Sequence, residues 1–233
     1  MNATLARRRY RLGARMFLRS AKPFLWWLAI AAPVVLAVSI FFADVFAEET
    51  GLWIIAASVF QWFVGVTAGI VIHQVMPPLM AAGLTRREIT AALGVFGGLL
   101  CAAAVLLVAA GLFAEHALLA AFADEPLTVA SRVERPGLGE TAARAARYLV
   151  VTPLYCSAGL TVGAAAMRLR PSRLQVPLLL SVASVLVLAC MWFEFASRWG
   201  SPAWLLAGGA LLAATATAFV LLMRDVPMRP KRA

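Results

Sequence analysis

The sequence predicts an all-α polytopic membrane protein of six transmembrane helices, with both termini cytoplasmic and a basic amphipathic interfacial helix ahead of the first span. Three observations lead there. The chain of 233 residues is 63% hydrophobic and only 14% charged, whereas about a quarter of a soluble domain is charged. Its apolar residues gather into six uncharged runs, each long enough to reach across a hydrocarbon core. Finally, its net charge of +10 is spread unevenly over the segments that join those runs.

The elements follow in order. Within residues 1–23, Arg8, Arg11, Arg15, Arg19 and Lys22 recur at intervals of three and four, which puts them on one helical stripe. Tyr10, Ala14, Phe17 and Ala21 lie on a different face. Such a helix suits an inner membrane surface rich in anionic lipid, or a cytoplasmic partner. The first run, Phe24–Phe42, reaches roughly 28 Å at about 1.5 Å per residue, and Trp26 and Trp27 fall where an interfacial aromatic belt sits. It is longer than a signal-peptide core of about 7–15 residues, so it is read as a retained span rather than one cleaved near "VFAEE", Val45–Glu49. The remaining spans are 52–76, 89–113, 148–167, 174–193 and 202–223; they complete a transmembrane domain over 24–223, followed by a cytoplasmic tail, 224–233.

Orientation comes from the basic residues. With the amino terminus inside, the inner segments carry sixteen of the twenty-one, including Arg86, Arg87, Arg168, Arg170 and Arg173. The outer ones carry Arg132, Arg135, Arg144, Arg147 and Arg198. That asymmetry is a topology signal, and it removes nucleic acid as the reason for the positive charge.

Inside the spans, Gly65 and Gly69, Gly94 and Gly98, and Gly159 and Gly163 form three small-xxx-small pairs. They let helix backbones approach closely in lipid, in a compact bundle or a dimer seam. Gln61 lies near the middle of its span and is a candidate for an interhelical hydrogen bond or a substrate contact. His73 and Gln74 fall at the inner end of the same span. Cys101, Cys156 and Cys190 all lie in spans and are read as packing residues. No metal-ligand spacing appears. The longest outer segment, 114–147, is read as a loop in which Glu140 and Arg144, four apart, brace a helical lead into the fourth span.

No span carries a charged residue in its middle, which argues against an ion-coupled pump. "YCSAG", Tyr155–Gly159, approaches the G-x-S-G of rhomboid proteases, but His73 and His116 lie at opposite membrane faces, and a nucleophilic serine needs a base within hydrogen-bond reach. There is no G-x-x-x-x-G-K-[ST]. The reading is of a chain that is not itself an enzyme.

Between Glu49 and Glu115 the only charged residues are Arg86, Arg87 and Glu88. Pro77 and Pro78 discourage continuation of the second span, and Pro is favoured at the start of a new helix. Gly83 can close a helix in the left-handed conformation, and Thr85 stands three residues before Glu88, the spacing of a capping box. The local reading is span, stop, short transverse helix, stop, capped span.

"AAGLTRREI", Ala81–Ile89, resembles the first cytoplasmic loop of ABC-2-type ABC transporter permeases, above all compact six-span ones in which a G-x-[ST]-R-R-[DE] segment precedes the third span. The basic leader and both-ends-in plan resemble that family over nearly the whole chain. The resemblance implies a permease subunit of an exporter in the bacterial cytoplasmic membrane, working as a homodimer or with a similar permease. A separate P-loop ATPase subunit would hold ATP and Mg, and this chain would need no cofactor. Pro78, Leu79, Met80, Thr85, Arg86, Arg87 and Glu88 would form the ATPase-coupling loop, with the leader's Arg8, Arg11, Arg15, Arg19 and Lys22 beside it. The family often carries re-entrant helices between its last two spans, whereas Glu194–Ser201 is short here and the long outer segment joins spans three and four. The apolar spans suit a lipophilic compound, a lipid or a hydrophobic peptide as cargo. The alternative is a membrane sensor, immunity or assembly protein that uses the same basic surfaces without transport.

Overall fold

The structure, a computed structural model, describes residues 11–19, 52–121, 137–168, 175–196 and 200–224. All regular structure among them is helical. Residues 11–19 form α1, followed by α2 (Leu52–Ala81), α3 (Arg86–Ala121), α4 (Leu138–Arg168), α5 (Gln175–Phe195) and α6 (Pro202–Arg224). The helices α2 to α6 are each long and apolar enough to cross a membrane. The chain is therefore a helical membrane protein. The expected span at 24–42, with Arg8, Lys22 and the tail beyond Arg224, lies outside the described residues.

The central helix is α4, which touches α2, α3, α5 and α6. Its buried residues occupy several faces, whereas α5 buries only Cys190, Phe193 and Glu194, all near its end. Two glycine pairs explain why α4 holds the centre. A Cβ on Gly65 would lie 3.1 Å from the Tyr155 carbonyl oxygen, and one on Gly69 would lie 3.1 Å from that of Gly159. A Cβ on Gly159 would collide with the Gly65 carbonyl, and one on Gly163 would come within 2.6 Å of the Gly69 carbonyl. Backbone meets backbone, so α2 and α4 run parallel in close contact along an intramolecular seam. Gly94 and Gly98 meet nothing within 4 Å. It is Gly97, between them, that packs against Cys156 and Leu160.

Two expectations are corrected. Pro77 and Pro78 do not end the second span: both lie inside α2, which runs on to Ala81, so there is no separate transverse helix. The prolines withhold the amide hydrogens that the His73 and Gln74 carbonyls would receive. His73, Gln74, Pro77 and Pro78 are all exposed at the end of the helix, where water can take those carbonyls, and Leu79–Ala81 then completes the last turn. The second correction concerns 114–147. Its described residues are helical save Gly137, because α3 extends to Ala121 and α4 begins at Leu138. Thirty-six residues make α3 about 54 Å long, more than the hydrocarbon core requires.

Two further ends show how the sequence sets the boundaries. Ser201 accepts the Trp204 amide on its hydroxyl at 3.2 Å and precedes Pro202, an N-cap followed by proline at the first helical position. In the first turn of α4, Glu140 and Arg144 form the expected ion pair.

Candidate functional site

The α2–α3 corner is built from two local motifs set back to back. Gly83 has a φ of 77°; its amide donates to the Met80 carbonyl at 3.0 Å and that of Leu84 to the Leu79 carbonyl at 3.1 Å. This is the bonding of a Schellman motif. Two residues on, the Thr85 amide donates to Glu88 Oε2 at 3.0 Å, while the Glu88 amide donates to Thr85 Oγ1 at 3.3 Å. This reciprocal pair is the capping box the spacing predicts. Only residues 82–85 separate the two helices.

The corner's side chains divide into two groups. Leu79, Met80 and Leu84 pack on the core that includes Met76, Ile89, Ala92 and Met223, so Leu79 and Met80 face inward. Pro77, Pro78, Ala81, Ala82, Thr85 and Arg87 are exposed. The two arginines are also separated. Arg86 donates from its guanidinium to the Arg224 carbonyl at the end of α6, a cation on the carbonyl end of a helix. Arg87 remains exposed.

The leader joins the same end of the bundle. Met16 is buried in that core, and Leu12 and Phe17 pack against it. Gly13 comes so close to α3 that a Cβ on it would lie 2.7 Å from the Ala92 carbonyl oxygen. The face of α1 that packs is therefore led by Leu12, Gly13 and Met16, against protein. Arg11, Arg15 and Arg19 are exposed. Together with Arg87 and the exposed Arg224, they make this end of the bundle strongly basic.

The opposite end holds two acidic groups that the apolar runs alone place in loops. Glu115 is buried and accepts the Trp53 amide at 3.2 Å, a carboxylate at the start of α2 where the helix dipole favours negative charge. Trp53 donates its indole N–H to the Val108 carbonyl at 3.0 Å, and its ring lies where a side chain on Gly111 would otherwise be. Glu194 is also buried and accepts the Tyr155 hydroxyl at 2.8 Å. The Arg147 guanidinium donates to the Phe193 carbonyl at 3.1 Å, and the Trp204 indole donates to the same oxygen at 3.3 Å. These contacts hold the end of α5 between α4 and α6. A signal for both acids was present: each interrupts an apolar run that continues past it, "LFAEHALLAA" and "MWFEFA".

Two positions deep in the bundle stand apart. Gln61 is fully buried, and neither its amide nitrogen nor its oxygen has a hydrogen-bond partner. The expected interhelical bond is absent. Thr152 is likewise fully buried and its hydroxyl has no partner. Ser157, the serine of "YCSAG", shares a 2.8 Å hydrogen bond with Thr215. The three cysteines are free thiols. A cleft of about 600 Å³ opens between the ends of α5 and α6, lined largely by Trp192, Phe195 and Trp204.

Fold and site thus define a polytopic helical membrane protein with a basic, rigidly built corner at one end. No family model, curated protein or solved structure matches this chain.

Proposed function

We propose that the chain is the membrane-spanning permease subunit of an ATP-driven ABC exporter in a bacterial cytoplasmic membrane. ATP is bound and hydrolysed by a separate P-loop subunit, and the pathway is completed by a second copy or a similar permease. The cargo is a lipophilic compound, a lipid or a hydrophobic peptide.

The observation that carries this reading is the α2–α3 corner. A membrane subunit driven from outside the bilayer needs a place where a push moves whole helices. Here α2 and α3 are joined by four residues, fixed on one side by a Schellman motif and on the other by a capping box. Leu79, Met80 and Leu84 fasten the corner to the core, so displacement of the turn is passed to both helices. The exposed Arg87 and the exposed α1 arginines at the same end of the bundle give an acidic partner surface its counter-charge.

The test is co-purification of the tagged protein in mild detergent, followed by an ATPase assay on what accompanies it. The expected result is a stoichiometric P-loop ATPase, with Arg87→Glu lowering the stimulated turnover at least about fivefold, a coupling loss of roughly 1 kcal/mol, while the protein still inserts. Recovery of a lone membrane protein with no nucleotide-dependent partner would overturn the reading in favour of a sensor, immunity or assembly protein.

A further inference from the structure

We propose that Gln61 and Thr152 bind an internal water molecule at the seam between α2 and α4. The other buried hydroxyls show what is unusual about these two. Thr141 donates to the Gly137 carbonyl, Thr161 to the Ser157 and Thr215 carbonyls, and Ser157 and Thr215 bond to each other. Thr152 has the same option of bonding back into its own helix and does not take it. Gln61 leaves both a donor and an acceptor unmet. Both residues have no exposed surface at all, and an unbonded buried amide is among the costlier groups a bundle can carry.

The seam's register puts the two at the same level. Gly65 meets Tyr155 and Gly159 across the parallel helices, so Gln61, one turn earlier in α2, is level with the turn 151–155 of α4. The ring contact between Trp62 and Tyr155, with centroids 6.3 Å apart, fixes the same level. A water needs two to four polar partners, and an amide and a hydroxyl that can each donate and accept provide them. Val64, Val151 and Leu154, beside them in sequence, are themselves fully or almost fully buried, so both polar groups lie in the interior of the bundle. Water also explains how the seam tolerates polar groups without a direct bond between its helices.

The full-length protein in detergent, labelled with ¹⁵N-glutamine, gives three side-chain amide pairs, from Gln61, Gln74 and Gln175. A Gln61→Leu variant identifies the first. The expected result is a cross-relaxation peak between the Gln61 amide protons and a long-lived water, lost in Thr152→Val and retained in Thr152→Ser. Absence of that peak in the unmutated protein, or its persistence in Thr152→Val, overturns the proposal. Melting temperature gives an independent reading. A bridging water makes Gln61→Leu and Thr152→Val each lower it, with the double variant losing less than their sum. A dry, unsatisfied pair makes the double variant melt higher, which also overturns the proposal.

Discussion

Glycines of the same type, in the same motif, have opposite consequences depending on what a methyl group would meet. Gly159→Ala forces a Cβ into the Gly65 carbonyl, which is backbone and can yield only if α2 and α4 separate; about 1–3 kcal/mol of lost stability is expected, as for other overpacked sites. Gly98→Ala meets nothing and relieves a helix of a flexible residue, a gain of roughly 0.5–1 kcal/mol. Melting temperatures of the two variants in one detergent should therefore move in opposite directions. Equal effects would mean that the seam in the membrane differs from the one described. Gly111 belongs with Gly159, since its missing side chain is what admits the buried Trp53 ring. The motif was legible in the sequence, but which pairs find a partner was not, because that depends on residues some ninety positions away.

Helix ends show a similar division between local and distant information. The capping box and the left-handed Gly83 were readable because every partner lies within a few residues. Prolines 77 and 78 misled because their cost depends on whether water reaches the carbonyls four residues back, and that is set by where the membrane and the bundle end. The charged residues Glu115 and Arg147 bound apolar runs but not helices, so α3 and α4 extend beyond the runs they contain. The contacts that fix α5 could not be read at all: Arg147 reaches carbonyls forty-six and forty-nine residues away, at Phe193 and Ala196. They lead to a prediction for the element. Because α5 buries only Cys190, Phe193 and Glu194, Arg147→Met, which removes the cation from its terminal carbonyls, should cost about 1–2 kcal/mol. Hydrogen exchange should then accelerate over 190–195 while the α2–α4 seam is unaffected; uniform acceleration would show that Arg147 supports the whole bundle instead.

At the scale of the molecule, the two ends differ in charge, and that difference carries an orientation. The end formed by α1, the α2–α3 corner and the last turn of α6 exposes Arg11, Arg15, Arg19, Arg87 and Arg224. The other end buries Glu115 and Glu194 and pairs the exposed Glu140 with Arg144. Positively charged segments are retained on the cytoplasmic side, so the corner is expected inside, where an ATPase can reach it. Single cysteines at Ala82 and Glu140, exposed positions at opposite ends, test this with a membrane-impermeant maleimide; replacing Cys101, Cys156 and Cys190 with alanine supplies a clean background. In intact cells the Glu140→Cys protein should label and the Ala82→Cys protein should not, and lysis should expose the second. Labelling of Ala82→Cys from outside would place the corner away from the nucleotide, and the exporter reading would fail with it. The buried polar pair at Gln61 and Thr152 would survive that outcome, since it depends on the seam and not on which way the bundle faces.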